Sequence, residues 1–275
     1  MSPDLLFFCC INIMLAWSVY AVMTTGVLSF AAAAFMAIGC YTSGLLSVKA
    51  GWPMWASLPA GAAVAALASL PIGIPTLRLR GVHFILATIG ITISMQVVFE
   101  NIEYVGGSTG FGGMMGATPT HAVIAVVVLG LALTFIAYSP LQRILDAVRE
   151  DSRVADSLGV NSVYVRVAAF AAGAAIAGYA GGLYGHYLVF VRPDSFGIQV
   201  AIFSTFYVIL GGSRNPWGPA LGAIVLTLLP EYFTALREWR PTFFGLAIIL
   251  IILLRPSGVL FFRLPTARLA AEKSA

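Results

Sequence analysis

Two kinds of segment in this 275-residue chain carry residues whose types and spacing suit chemistry. The first is glycine-rich. Gly106, Gly107, Ser108, Thr109 and Gly110 run on into Phe111-Gly112-Gly113, and Gly211-Gly212 is followed by Pro216 and Pro219. Both break apolar stretches, and non-helical backbone at membrane depth is tolerated only where protein covers it or it lines a water-filled cavity. Free N–H and C=O groups there can receive the carboxylate or ammonium of a small solute, and a plain flexible loop explains the same residues. The second is the run Ser139 to Arg166, dense in charges of both signs and flanked by apolar sequence.

Catalytic groupings are missing from the pattern. A nucleophile with its base, paired carboxylates or clustered ligands would be needed inside the apolar segments, and their middles carry no Asp, Glu, Lys or Arg. His83, His121 and His186 are scattered near segment ends without the spacing of a metal site; they read as interfacial. Glu100 and Glu103, at the end of an apolar run, suit solvation or contact with an ammonium or a partner. Cys9, Cys10 and Cys40 lie within apolar runs and match neither a disulfide framework nor a zinc motif. A phosphate-binding loop needs Gly-x-x-x-x-Gly-Lys before Ser or Thr, and Lys49 and Lys273, the only lysines, lie in no such context.

The elements that position these residues follow from composition. The chain is 60% hydrophobic and 9% charged, with a mean hydropathy of +0.94, where a soluble domain carries about 25% charge. Counting runs long enough to cross a bilayer predicts helices near 5–23, 27–47, 54–74, 82–100, 121–138, 166–190, 198–210, 217–231 and 242–254. The fold expected is an all-α polytopic integral membrane protein of about nine transmembrane helices, with eight and ten as the bounds. Residues 198–231 also suit a single interrupted element. The domain spans 1–262 and a tail 263–275 follows. The start Met1-Ser2-Pro3-Asp4 lacks a basic leader, so the first run reads as a retained span.

Basic residues resist translocation. With the N-terminus outside and the C-terminus inside, Arg78, Arg80, Arg143, Arg149, Arg153, Arg166, Arg214, Arg255, Arg263, Arg268 and Lys273 fall inside, while Lys49, Arg192, Arg237 and Arg240 stay outside. Helix contacts should come from small residues, since lipid gives no hydrophobic reason for association. The pairs Gly178 with Gly182, Gly181 with Gly185, and Gly218 with Gly222 supply them. The net charge of +4 suits lipid headgroups, and no basic stripe with interleaved aromatics points to nucleic acid.

Residues 139–165 read as two short helices on the basic side. Ser139 caps, Pro140 takes the first helical position, and Leu141, Ile144, Leu145 and Val148 recur at helical spacing opposite Arg143, Asp146, Arg149 and Glu150. A second helix, Asp151 to Leu158, ends at Gly159, which takes the left-handed cap, and Asn161 or Ser162 caps the next span. Such a pair lies along headgroups or presents an apolar ridge to a soluble partner. Physics alone leaves both open.

The segment Ile144-Leu145-Asp146-Ala147-Val148-Arg149-Glu150-Asp151, running through Ala155-Asp156-Ser157-Leu158-Gly159-Val160-Asn161, resembles the coupling loop of LivM-type permeases of branched-chain amino acid ABC transporters. Leu77-Arg78-Leu79-Arg80-Gly81-Val82-His83-Phe84, Gly106 to Gly110, Ala177-Gly178-Tyr179-Ala180-Gly181-Gly182, Gly211-Gly212, Gly218 to Ala223 and Leu254 to Gly258 resemble that family in its order. Residues 26–262 are covered. Arg153-Val154-Ala155 stands where the family often has Glu-Ala-Ala, and His83 where an aromatic is common.

The resemblance implies an ATPase-coupling loop formed by Ile144, Leu145, Val148, Arg149, Glu150, Ala155, Leu158 and Gly159. It implies three kinds of partner besides membrane lipid: a LivH-like second permease, two cytoplasmic ABC ATPase subunits and an extracytoplasmic solute-binding protein. ATP and magnesium would be held by the ATPases, this chain binding no cofactor, and the setting would be the bacterial inner (plasma) membrane. Urea and short amides are cargo of the same family. A secondary transporter would bury ionisable residues for ion coupling, and a passive channel for small amides would need no nucleotide. On the resemblance, closure of the ATPases pulls on helices 141–158 and switches the pathway between two states.

Overall fold

In lipid a backbone must satisfy its own hydrogen bonds, so uncharged apolar runs become helices. The computed structural model describes residues 3–79 and 81–232 together with Gly245. Its helices are α1 (Pro3–Met23), α2 (Ala32–Val48), α3 (Met54–Thr76), α4 (Val82–Asn101), α5 (Pro119–Tyr138), α6 (Pro140–Glu150), α7 (Ser152–Ser157), α8 (Ser162–Leu188), α9 (Ile198–Gly211) and α10 (Trp217–Tyr232). Short 3-10 turns lie at Glu103–Val105, Gly107–Thr109 and Pro193–Phe196. The two-residue strands β1 (Phe111–Gly112) and β2 (Phe190–Val191) pair antiparallel. Among the described residues six helices are long and apolar enough to cross a membrane, Pro193–Gly211 counted as one, and Ala32–Val48 and Trp217–Leu228 are shorter apolar helices. The expected span 242–254, apart from Gly245, and the tail 263–275 lie outside the described residues.

The centre of the bundle is α8 against α1, α2 and α3. Glycines allow that approach: a Cβ on Gly39 or Gly178 would strike the facing helix, one on Gly181 the Met36 carbonyl, and one on Gly182 the side chains of Leu58 and Ser43. The small-residue pairs read from the sequence are helix contacts. Gly218 packs on Gly211 and Gly222 on Tyr207, so α9 and α10 form an antiparallel hairpin, not one interrupted element. In α1, 72% of the apolar window is buried, against 17% in α4 and 22% in α5. The first is therefore a core helix and the other two are the rim.

Two helix ends differ from expectation. The run 27–47 suggests a helix from Val27, yet α2 starts at Ala32. The Phe30 N–H donates to Thr88 Oγ1 at 3.1 Å, Thr92 Oγ1 donates to the Phe30 carbonyl at 2.8 Å, and the Ala31 N–H donates to Ser29 Oγ at 3.2 Å. Hydroxyls thus replace the helical bonds of this stretch. Likewise α8 ends at Leu188 instead of 190, because Phe190 and Val191 leave it to pair with β1. The turn passes through Val189, a β-branched residue at φ 65°, where L side chains are strained.

Candidate functional site

Contacts sort the helix ends into two groups. Tyr187 donates to Asp4, its ring stacks on Phe7 at 3.7 Å, and Lys49 Nζ donates to the Tyr104 carbonyl at 2.8 Å while lying 3.2 Å from that ring's centre. This end gathers the start of α1, the ends of α2, α4 and α8, and β1–β2. The other end gathers the α1–α2 turn, α6, α7, the start of α8 and the α9–α10 turn.

The elbow of α6 and α7 is built by local capping. Ser139 Oγ accepts from the Leu141 N–H at 3.2 Å with Pro140 in the first turn. Asp151 Oδ1 accepts from Arg153 and Val154 at 2.8 and 3.3 Å, which opens α7, and Asn161 Oδ1 accepts from Tyr164 at 3.2 Å, which opens α8. Gly159 sits at φ 84° with open space where a Cβ would stand, closing α7 as a left-handed cap. Asp156 reaches over the gap: its carboxylate accepts from the Ser162 N–H at 2.9 Å and the Ser162 hydroxyl at 3.1 Å. Those two bonds, and after them the nearby Arg166 charge, lower its pKa from the ordinary 3.8.

The expected coupling residues divide between two faces. Leu145, Val148 and Ala155 are buried against the bundle. Ile144, Glu150, Leu158 and Gly159 are exposed, and Ile144 with Leu141 at 46%, Val154 at 54% and Leu158 at 76% exposure leaves four apolar side chains of the elbow uncovered. Leu141 and Ile144 therefore do not share the buried side of Leu145 and Val148, as helical spacing suggested; α6 buries only a narrow stripe. Arg149, expected on the polar side, turns inward: Nη1 donates to the Ser213 carbonyl at 3.0 Å and Nη2 to Ser213 Oγ at 2.7 Å.

The two glycine segments lie at opposite ends, so the structure does not bring them together. Gly106 and Gly107 sit in turns after α4. Gly106 at φ 86° faces the Gly110 carbonyl so closely that no Cβ fits, while Ser108 and Thr109 are exposed. Gly110 abuts Phe190 and Val191, and the Gly113 N–H donates to the Val189 carbonyl at 3.0 Å. This is a tied loop, not a slack one. Gly211 and Gly212 end α9 beside Arg149's partner Ser213, and the turn is pinned from α1 by Trp17 Nε1, which donates to the Pro216 carbonyl at 2.7 Å.

Sequence reasoning missed Ser213, Gly26 and the non-helical stretch before α2. A Cβ on Gly26 would sit 3.3 to 3.5 Å from the carbonyl, Cα and Cγ of Arg149. A signal existed for the stretch: Thr88 and Thr92, four apart on one face of an apolar helix. At the level of the α1, α9 and α10 packing, Asn12 Nδ2 donates to Thr227 Oγ1 at 3.0 Å, an interhelical bond of the kind that holds membrane helices together.

A family model described as branched-chain amino acid transport system / permease component matches residues 3–254. The high-affinity branched-chain amino acid transport system permease protein LivM of Salmonella typhimurium is 28% identical over 286 residues, covering 91% of this chain and 67% of that protein. LivM of Escherichia coli is 29% identical over 281 residues, covering 89% and 66%. LivH of Salmonella typhimurium is 30% identical over 173 residues, covering 61% and 55%. The chain thus spans about two thirds of the length of the LivM relatives. No solved structure matches it.

Proposed function

Because the chain belongs to the family of branched-chain amino acid transport system permease components, we propose that it is the membrane-spanning subunit of an ATP-driven importer for branched-chain amino acids. The observation that carries the reading is the elbow: two capped helices that bury one stripe in the bundle and leave Leu141, Ile144, Val154 and Leu158 exposed. A ridge of this kind suits the groove of a soluble partner. The mixed charges around it, Asp146, Glu150, Asp151 and Asp156 among arginines, suit an anionic lipid surface poorly.

In this reading the elbow faces the cytoplasm of a bacterial inner membrane, the N-terminus lies outside, and nine crossings bring the C-terminus inside. Two cytoplasmic ATPases dock on the ridge and hold ATP and magnesium. A LivH-like permease forms the other half of the pathway, and an extracytoplasmic binding protein delivers solute at the end bearing Gly106 to Gly110. The LivM and LivH relatives support the pairing of two permeases. Gly106, Gly107, Ser108, Thr109 and Gly110 mark the outer mouth, and Gly211 and Gly212 the inner one.

The test is uptake of radiolabelled leucine by proteoliposomes holding this chain with the second permease, the ATPases and the binding protein. Accumulation that requires ATP and all four components supports the function. Equal uptake without nucleotide, or without the ATPases, overturns it in favour of a channel or an ion-coupled carrier.

A further inference from the structure

Arg149 belongs to the elbow by sequence and to the bundle by contact. Its guanidinium makes two directed bonds to Ser213 in the α9–α10 turn, and its backbone lies against Gly26 in the α1–α2 turn. From Gly26 the chain reaches Phe30 within four residues, and Phe30 is bonded through both its N–H and its carbonyl to Thr88 and Thr92 of α4. The Ser213 turn is tied onward to α1 by the Trp17–Pro216 bond and by Trp17 and Trp217, whose rings meet edge to face at 6.4 Å. One residue therefore touches the elbow and the two turns through which α1, α2, α9 and α10 leave this end.

Holding α6 against the bundle does not require this residue, because Leu145 and Val148 already bury the helix. A cation serving only to anchor at headgroups would point outward, as the exposed Arg143 and Arg153 do. The planar fork instead fixes position and angle together, which a lysine ammonium cannot do.

We propose that Arg149 is a positioning residue that carries displacement of the elbow to the α9–α10 turn and, through Gly26, to the non-helical start of α2, so that partner ATP hydrolysis and solute passage stay in step. This deepens the function proposed above and rests on it. Coupling between sites travels through contiguous contacts, and Arg149 joins the elbow to both turns, by hydrogen bonds to Ser213 and by packing on Gly26.

The test measures leucine uptake and phosphate release in the same proteoliposomes of the whole transporter. Arg149→Gln should lower the leucine moved per ATP by about tenfold, a normal size for a coupling effect. Ser213→Ala, which removes one of the two bonds, should lower it less, and Arg149→Lys should fall between wild type and Arg149→Gln. The double variant should be no worse than Arg149→Gln alone, since both remove one interaction. Wild-type ratios in Arg149→Gln and Ser213→Ala overturn the proposal. If Arg149→Gln fails to reach the membrane, Arg149→Lys and Ser213→Ala decide by the same ratio: a lowered value supports the role and an unchanged one overturns it. Wild-type vesicles that take up leucine without ATP sink the function itself and this role with it, whereas coupled wild-type vesicles with unchanged variant ratios sink only the role.

Discussion

The Gly106–Gly110 turn and the Gly211–Ser213 turn cap opposite ends of the same bundle and are held by different means. The first is closed by its own residues and by the strand pair with Phe190 and Val191. The second is held by a side chain from another element, Arg149 of α6. A turn held by its own backbone keeps its shape when the elbow moves; a turn gripped by the elbow must follow it. One end of the molecule is thus built as a fixed frame and the other as a linkage.

The largest expected effect breaks the linkage at its outer face. Ile144→Asp combined with Leu158→Asp puts two carboxylates on the exposed ridge and should abolish co-purification of the partner ATPases, with leucine uptake falling about 100-fold, as for hot-spot residues of an interface. Retained co-purification would mean that the ridge is not the docking face. Next in size, Gly159→Val forces a β-branched residue to φ 84°, a strain of about 1–3 kcal/mol. It should reduce ATP-driven uptake about tenfold at equal membrane abundance, read by uptake normalised to immunoblot.

The frame should respond in stability, not in coupling. Gly106→Ala places a Cβ against the Gly110 carbonyl at positive φ and should destabilise the protein by about 2 kcal/mol, measured by thermal unfolding in detergent, with leucine moved per ATP unchanged. A lowered ratio in that variant would erase the distinction between the two ends. In the opposite direction, Val189→Gly relieves a left-handed valine and should stabilise by about 1 kcal/mol.

The smallest effect is one of pH. Asp156 has its pKa lowered by its bonds to Ser162, so its contribution to stability is present above the unfolded value near 3.8 and is lost as pH falls through the lower folded value. Unfolding temperatures of wild type and Asp156→Asn should therefore converge at strongly acid pH and separate slightly toward neutrality.

What could be read from the sequence was local. Ser139, Asn161 and Gly159 act on backbone within a few residues, so residue type alone foretold these ends in the elbow, and the glycine pairs foretold the close approach of α8 to its neighbours. The reach of Arg149 to Ser213 spans 64 positions and depends on how α9 returns to the elbow, which no local pattern encodes. The start of α2 was hidden for a related reason. Val27 to Phe35 is apolar enough to be helical by hydropathy, and the hydroxyl of Ser29, together with those of Thr88 and Thr92 on a different helix, makes another backbone path affordable. In the same way spacing could assign Leu141 and Ile144 to an apolar stripe but could not say that α6 presents them outward.

That dependence of Phe30 on α4 sets an order for biogenesis. When the first two helices leave the ribosome, the N–H and carbonyl of Phe30 lack the hydroxyls that partner them in the folded chain, and a polar group taken from water without a partner costs several kcal/mol. They must wait in a wetter or more helical arrangement until the segment holding Thr88 and Thr92 has been synthesised and inserted. A chain truncated before Val82 should accordingly fail to settle its first hairpin, however hydrophobic that hairpin is.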